Sequence, residues 1–378
     1  MSPRGLAGRL ALAVASAALA ALAAEGTLRL LRWAPERHRA PAHVYATRER
    51  LMLDCFPSNP RGYFDVDLRR DEVRGRYERA GMPRLASVAR RAPFAVEVRL
   101  NALRFRDAEL GPRPHGVTRV MVLGDSFTEG QGVREPDTCV RRLEALLNAQ
   151  GSRRYEVRNC ARRATDFPAL MRNFEAILAF DPDVVVHAAV LNDPERSPAF
   201  EARQRYLNDW IVDQARWAGP AAPDPEPGGP RLVAFAREGW RRWRVGREST
   251  RWYRGMYGAE NADGWARTQG YWREMDARMR ARGGRFLVMV WPLLVGLDRG
   301  YPFEDVHREL GAFFAAAGIA HHDLLPVLRG RRPRDLWVYP VDMHPNEEAN
   351  RLAAESLAPV VLSLSEAQTR PAPRDPGQ

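Results

Sequence analysis

Lysine is absent from this chain of 378 residues, and arginine supplies all 58 of its basic residues. Complete replacement of this kind is typical of GC-rich coding bias rather than of a surface selected for one ligand. The net charge of +11 would suit nucleic acid, anionic lipid or an acidic polysaccharide. Because the arginines are scattered, without a basic arm or zinc-finger spacing, the pattern argues against nucleic-acid binding.

Cysteine is scarce, with three residues in the whole chain. None of them belongs to a C-x-x-C pair, which argues against the common zinc-binding and thioredoxin-like motifs. Hydrophobic residues make up 45% of the sequence, which is the composition of a folded chain with a real core. The length allows one large domain or two smaller ones.

Long hydrophobic runs are also missing. The uncharged run near the N-terminus, Leu10–Ala24, has 15 residues, fewer than the roughly 20 that span a membrane. Two arginines precede it and Ala21-Leu22-Ala23 resembles a cleavage site, so residues 1–24 are predicted to be a signal peptide. An uncleaved signal anchor that contacts the membrane through residues 6–24, and an alanine-rich soluble helix, are the alternatives. Either of the first two places the rest of the chain outside the cytoplasm, exported or anchored to the inner membrane.

A candidate nucleophile appears where the apolar residues 120–123 stop at Gly124-Asp125-Ser126. This pattern is typical of a buried strand that delivers a serine hydroxyl to the carboxyl end of a sheet, where open α/β folds bind ligands. Serine is a poor nucleophile unless a histidine takes its proton and a carboxylate orients that histidine. Asp342 and His344 could supply both groups from one short loop.

Four segments resemble, in order, the four sequence blocks of the SGNH/GDSL hydrolase superfamily. They are Gly124-Asp125-Ser126, Asn159-Cys160-Ala161, Val190-Leu191-Asn192-Asp193 and Asp342–Asn346. Ala161 and Val190 stand where the family usually has glycine, and Asp342 precedes the histidine by two residues instead of three. Three further segments resemble a bacterial, often membrane-anchored subgroup, so the likeness extends from about residue 50 to about residue 360. These segments are Cys55–Phe64, Asn101–Asp107 and Trp291–Leu294.

The resemblance implies a role for each matching residue. Ser126 would be the nucleophile, His344 the base, and Asp342 the carboxylate that orients His344. The side-chain amide of Asn192 and the backbone N–H groups of Ser126 and Ala161 would form the oxyanion hole. No metal and no organic cofactor is implied.

The activity implied by the resemblance is that of a serine esterase or O-acyl hydrolase. Its substrate would be a small-molecule or glycan ester, or a lipid-like ester, outside the cytoplasm. Two alternatives remain open. The same triad could transfer an acyl group to an exported polysaccharide, or a catalytically inactive chain could bind glycans.

The resemblance also implies a flavodoxin-like, three-layer α/β/α fold with a parallel five-stranded sheet, and the alternating strand and helix patterns agree with it. The predicted strands are 119–123, 155–158, 183–190, 285–291 and 319–324, and the predicted helices are 138–148, 167–180, 264–282 and 347–357. Residues 25–115 are predicted to be an extension packed on the hydrolase domain, 116–365, and residues 366–378 a disordered tail. Cys139 and Cys160 would lie on adjacent segments, either as a disulfide or as buried thiols.

An insertion at 195–263 interrupts this alternation and is predicted to lie over the mouth of the site. Its Pro- and Gly-rich part, 218–230, is predicted to be a flexible loop. An aromatic cluster interleaved with arginines follows, formed by Trp240, Trp243, Trp252, Tyr253 and Tyr257. The cluster is interpreted either as a lid that binds a sugar chain or an anionic acyl acceptor, or as a helical cap that packs its aromatic residues on the core.

Four other polar residues are expected to be structural. Glu129 is expected to face solvent, and His187 to be a core histidine rather than a second base. His321 and His322 are neighbours in a predicted strand and should point to opposite faces, which argues against a shared metal ion.

Overall fold

The computed structural model describes residues 3–33, 63–67, 94–163, 165–203, 229–339 and 342–366. Most of the predicted loop at 218–230, much of the N-terminal extension, Cys55 and the tail beyond residue 366 lie outside the described residues.

Strands and helices alternate along the described chain. The strands are β1 (Tyr63–Asp67), β2 (Phe94–Val98), β3 (Val117–Gly124), β4 (Arg154–Asn159), β5 (Val184–Val190), β6 (Arg285–Trp291), β7 (Ala320–Asp323), β8 (Trp337–Tyr339) and β9 (Asp342–Pro345). The helices are α1 (Pro3–Leu30), α2 (Ser126–Glu129), α3 (Cys139–Gln150), α4 (Phe167–Leu178), α5 (Pro198–Arg203), α6 (Arg231–Gly255), α7 (Ala262–Ala281), α8 (Glu304–Ala317), α9 (Leu325–Leu328) and α10 (Glu347–Glu366).

Five strands form a parallel sheet in the order β4-β3-β5-β6-β7. The first core strand lies between the second and the third, which is the flavodoxin-like order. Helices cover both faces, so the predicted α/β/α fold is confirmed. Strands β3 and β5 are buried along their whole length, which explains why they have near-continuous apolar sequences instead of alternating ones.

The ends of the predicted strands differ from the observed ends by two residues or fewer, and the ends of β6 agree with the prediction. The largest difference is at α10, which continues beyond residue 357 and through Pro359 to Glu366. Val361 and Ser365 are buried in this extra part. Packing against the core therefore maintains the helix past a residue that lacks a backbone N–H.

Two helix pairs form the outer layers. Helix α3 packs against α10, and the Cys139 N–H donates to Asn350 Oδ1 at 2.8 Å across this contact. Helices α4 and α7 pack together with β3 and β6. The apolar stripes of these amphipathic helices face the sheet.

The N-terminal segments add two features to the hydrolase domain. Strand β2 lies before the hydrolase domain and pairs in parallel with β1. Helix α1 runs past residue 24 to Leu30 without a break. Residues Ala7–Leu30 are long and apolar enough to cross a membrane, with a mean hydropathy of 1.8, a test that a signal sequence also passes.

The aromatic cluster of the insertion divides into two parts. Trp252, Tyr253 and Tyr257 are buried, as expected of a cap packed on the core. Trp240 and Trp243, about three turns before Trp252 on helix α6, are 65% and 51% exposed. The cap interpretation therefore describes only the second half of α6.

Cys139 and Cys160 are free, buried thiols, so the structure contains no bridge between them and the disulfide alternative is wrong. Burial raises the pKa of the Cys139 thiol to about 12 and that of Cys160 still further. Both are therefore protonated and chemically inert at neutral pH.

Gly124 ends β3 in a space that cannot hold a side chain. A Cβ atom there would lie 2.4 Å from Thr128 Oγ1 and 3.1 Å from the Ala188 carbonyl oxygen of β5. We expect Gly124→Ala to lower the free energy of unfolding by about 1–3 kcal/mol, because a close-packed core resists an added carbon. Urea denaturation measures this. Gly111→Ala, with no atom within 4 Å of the new carbon, is the control, and equal losses in both variants would contradict the packing argument.

Candidate active site

The nucleophile turn, Gly124-Asp125-Ser126, carries the candidate nucleophile and connects β3 to α2 without an intervening loop. Asp125 is the N-cap of α2, and its Oδ1 accepts the Phe127 N–H at 2.8 Å. Gly130 ends the helix with φ of 81°, where a Cβ would lie 2.5 Å from Thr138 Cγ2. Ser126 is half-buried between fully buried neighbours, so its hydroxyl is presented at the carboxyl edge of the sheet.

His344 lies against Ser126 although 218 residues separate them in the chain. The distance between His344 Nε2 and Ser126 Oγ is 2.8 Å, which is hydrogen-bond length. The imidazole also meets the Phe127 ring edge to face, with 5.4 Å between ring centroids. Since Phe127 follows Ser126 on α2, one short helix contacts the histidine with both a hydroxyl and an aromatic ring.

The strand that carries His344 is held by buried hydrogen bonds. Strand β9 pairs antiparallel with β8, and the Trp337 indole donates to the Leu294 carbonyl at 2.5 Å. The fully buried Asn346 donates its amide to the carbonyls of Asp335 and Trp337. Its Oδ1 accepts backbone N–H groups from the first turn of α10. Asn346 therefore fixes both the end of β9, the strand that carries His344, and the start of α10.

Asp342 is the first residue of β9, and its side chain lies outside the described part of the chain. Its assignment as the orienting carboxylate stays a prediction.

Asn192 follows β5 on a turn with three buried anchors. The Val190 N–H donates to Asp193 Oδ2 at 2.9 Å, and the Asp193 N–H donates back to the Val190 carbonyl at 3.0 Å. The Tyr257 hydroxyl donates to the Leu191 carbonyl at 3.1 Å. Because Gly124 of β3 pairs with β5 near its end, Asn192 and the nucleophile turn leave adjacent strands at the same sheet edge. Valine at 190 fits this turn, in which it is buried and its N–H is bonded.

His187 is a core residue, as expected. The Trp272 indole N–H donates to His187 Nδ1 at 2.8 Å, so Nδ1 is an acceptor. The other ring nitrogen, Nε2, is buried 3.5 Å from Asp193 Oδ2 and has no hydrogen-bond partner among the described residues. The histidine therefore lies beside the turn that carries Asn192 without bonding to it.

The Ala161 N–H already has a partner in the resting structure. It donates to Asn159 Oδ1 at 3.1 Å, and the Asn159 amide donates to the Thr128 carbonyl at 3.0 Å. The next two N–H groups of this loop, those of Arg162 and Arg163, are also bonded to protein acceptors. Ala161 can serve an oxyanion only by exchanging its bond to Asn159.

The prediction that Glu129 faces solvent is wrong. Glu129 is 5% exposed, and its carboxylate forms an ion pair with the Arg163 guanidinium, with 2.7 Å between Nη2 and Oε1. The backbone N–H of Arg163 also donates to the same carboxylate. The short helix α2 turns Glu129 inward beneath the loop after β4, where arginine compensates its charge.

Arg106 is a structural residue of the site that the sequence reasoning did not identify. It is 2% exposed and donates to the carbonyls of Gly130 and Val133, just after the nucleophile helix, at 2.6 and 2.8 Å. Arg106 belongs to the Asn101–Asp107 segment, whose resemblance to the family could have identified it from the sequence.

The two adjacent histidines of β7 diverge, as expected. His321 stacks on Phe314, and His322 Nε2 lies 2.7 Å from Ser356 Oγ. Among the described residues, no group of three or more histidine, cysteine or acidic side chains is placed to hold a metal ion.

Comparison with known proteins agrees with this geometry. The model of the GDSL-like Lipase/Acylhydrolase family matches residues 122–352, which is more than half of the chain. The chain belongs to this family. It is an SGNH/GDSL-type serine hydrolase, that is, an esterase. A search of curated protein sequences gives no match.

Several solved structures of low sequence identity are similar to this chain. TesA is 18% identical with a TM-score of 0.38, and the alignment covers 65% of this chain and 99% of TesA. An acetylxylan esterase from Geobacillus stearothermophilus is 13% identical with a TM-score of 0.36, covering 68% and 95% of the two chains. A GDSL-like lipase from Bacteroides thetaiotaomicron is 13% identical with a TM-score of 0.34, covering 65% and 88%.

Burial, and then the charge of Asp193, raise the pKa of the Asp125 carboxyl well above its usual range. An acid with a raised folded-state pKa stabilises the fold when protonated, and that contribution is lost as the pH rises through the raised value. Asp125→Asn keeps an acceptor for the Phe127 N–H and cannot ionise. We expect its free energy of unfolding to exceed that of the wild type by an amount that grows as the pH rises.

Urea denaturation at a series of pH values measures this difference. Asp166→Asn makes the same change at the exposed N-cap of α4, where the carboxylate accepts the Ala169 N–H at 2.8 Å. The same pH trend in both variants would contradict the assignment to burial of Asp125.

Proposed function

We propose that this hydrolase cleaves carboxylic esters through Ser126 and His344, with Asp342 orienting the imidazole. The observation that carries the proposal is the 2.8 Å contact between Ser126 Oγ and His344 Nε2. A hydroxyl at that distance can transfer its proton to the imidazole as its oxygen attacks an ester carbonyl. The position of Asp342, two residues before His344 on β9, supports its part in the triad.

The reaction proceeds in two stages. Ser126 Oγ bonds to the carbonyl carbon while its proton moves to His344 Nε2, and the tetrahedral intermediate collapses as His344 protonates the leaving alcohol. Water then attacks the acyl carbon and gives its proton to His344, which passes it to Ser126 Oγ as the bond between that oxygen and the acyl carbon breaks and the carboxylic acid is released. An ionised Asp342 would keep the imidazolium in place during both stages.

The oxyanion would form beside the ends of β3 and β5. The Asn192 amide and the Ser126 N–H are the first donors, because both residues follow adjacent strands at the same edge of the sheet. The Ala161 N–H would join them when the oxyanion replaces Asn159 Oδ1 as the acceptor of its hydrogen bond. A charged acceptor forms stronger hydrogen bonds than a neutral amide, which favours the exchange.

The substrate is proposed to be a small-molecule or glycan ester outside the cytoplasm. The apolar helix α1 supports this placement, either as a signal peptide or as an anchor that leaves the catalytic domain outside the inner membrane. The continuation of α1 to Leu30 and its hydrogen bonds to α6 favour the anchor over cleavage at residues 21–23, since cleavage would remove most of the helix.

Removal of the nucleophile or the base should abolish turnover. We expect Ser126→Ala and His344→Gln each to lower kcat for p-nitrophenyl acetate by about 10³-fold or more, and Asp342→Asn by about 10²–10⁴-fold. A fluorogenic or chromogenic ester assay measures this, with His322→Gln as a matched histidine control on β7.

Wild-type rates in the Ser126→Ala variant would overturn the proposed nucleophile. Addition of an oligosaccharide acceptor distinguishes hydrolysis from transfer. Acid release without the acceptor supports the esterase, whereas Ser126-dependent turnover that requires the acceptor would replace it with an acyltransferase.

Loss of the Asn192 amide should slow the chemical step. We expect Asn192→Ala to lower kcat by about 10²–10³-fold with little change in KM, because an oxyanion donor acts mainly in the transition state. Steady-state ester kinetics give both constants. Glu201→Ala, at the exposed start of the insertion, is the control. A rise in KM with unchanged kcat would assign Asn192 to substrate binding instead.

A further inference from the structure

Exposed apolar surface is concentrated on two helices of this protein. Within the described ranges, every exposed large hydrophobic side chain lies on α1, on Leu31 directly after it, or in the first half of α6. Those on α6 are Val233, Phe235, Trp240 and Trp243. The layers that surround the sheet expose none, so this surface is a local property of α1 and α6 and not of the fold in general.

The first half of α6 is amphipathic. At about 100° per residue, the four exposed apolar residues and the small residues between them cover one arc of about 160° on the helix. Arg241 lies on the opposite side of the helix, and Arg237 and Arg244 lie at one border of the apolar arc. On the apolar arc, the rings of Trp240 and Trp243 lie 4.8 Å apart, and the Arg247 guanidinium lies 5.3 Å from the Trp243 ring.

Helix α6 begins at the point where the apolar run of α1 ends. Glu25 accepts the N–H groups of Arg231 and Leu232 at 3.0 and 2.8 Å, so a residue of α1 caps α6, whose own N-cap is a proline. The Trp33 ring meets Phe235 edge to face at 5.2 Å. The two helices therefore form one continuous apolar surface with a fixed junction.

We propose that the first half of α6 lies on the surface of an anionic phospholipid bilayer, with the Trp240 and Trp243 rings in the headgroup region. The proposal rests on the anchored alternative for α1, in which the bilayer boundary falls near Glu25 and hence at the start of α6. Tryptophan prefers this boundary because its ring is apolar and its N–H is polar. An amphipathic helix with arginine on its polar face binds such a surface in the plane of the membrane.

Charge favours the bilayer over a second copy of this chain. Arginines flank the apolar arc on both sides, Arg237 and Arg244 on one and Arg242 on the other. Arg247 lies within the arc beside Trp243. The whole chain carries a net charge of +11, so a second copy would bring like charges together. Anionic lipid phosphates would complement the same arginines.

This placement has a consequence for the catalytic site. The 25 residues of α6 make a rod about 38 Å long at a rise of about 1.5 Å per residue. Shortly beyond its far end, Tyr257 donates its hydroxyl to Leu191, the residue before Asn192. The hydrolase domain would therefore be held close to the lipid surface in a defined orientation instead of moving freely on a tether.

Spin labels on the two faces of α6 test the proposal in the full chain. Trp243→Cys and Arg237→Cys place the label on the apolar arc and on the arginine-rich side of the helix, about 120° apart and both at exposed positions. Cys55→Ser accompanies each variant, while the buried Cys139 and Cys160 are retained. The proteins are reconstituted into nanodiscs of phosphatidylcholine with phosphatidylglycerol, or of phosphatidylcholine alone. Electron paramagnetic resonance then measures collision with oxygen, which concentrates in lipid, and with a water-soluble nickel chelate.

The expected result in anionic nanodiscs is an oxygen-to-nickel accessibility ratio several-fold higher at position 243 than at 237, with a smaller difference in phosphatidylcholine alone. Equal, water-like ratios at both positions would overturn the proposal. Loss of access to both reagents at 243 would also overturn it and indicate contact with a second copy. An undiminished difference in phosphatidylcholine alone would refute the requirement for anionic lipid. Failure of the chain to co-elute with nanodiscs would reject the anchor and this surface together, while the ester assays on Ser126 stay unaffected.

Discussion

The active site depends on the close approach of three backbone segments at the end of β3. Gly124 leaves no room for a Cβ between Thr128 and the Ala188 carbonyl, so α2 can start directly at the sheet edge. Asp125 caps that helix, and Ser126 becomes its first residue. Because the core is close-packed, the backbone of Ser126 is held in one position. His344 reaches the Ser126 hydroxyl from a separate strand, β9.

Arginines hold the segments around this turn. Arg106 bonds carbonyls after the nucleophile helix, and Arg163 compensates the buried charge of Glu129. Arg119, 1% exposed in β3, donates to Glu156 and to three backbone carbonyls. A guanidinium group offers five donors in a rigid plane, which suits it to several acceptors at once. The use of arginine as the basic residue therefore suits the packing around this turn, where one side chain must bond several acceptors.

Much of the fold could be predicted because its causes are local. Strands β3 and β5 are buried on both faces, and their apolar runs show this without any knowledge of their neighbours. The pairing of Ser126 with His344 could be predicted from the order of the family blocks. Glu129 could not be placed, because its burial depends on Arg163, 34 residues away in the chain. For α10, burial of Val361 outweighed the local signal of Pro359.

The amino-acid pattern alone predicted most of the elements, their parallel arrangement and the candidate nucleophile and base, since each has a signature within a few residues. Tertiary structure decided the 2.8 Å contact between Ser126 and His344, the engagement of the Ala161 N–H by Asn159, and the division of α6 into a packed half and an exposed half. These features arise where segments distant in sequence meet. No local pattern records the distance between such segments, because that distance is set by the packing of the whole sheet and its helices.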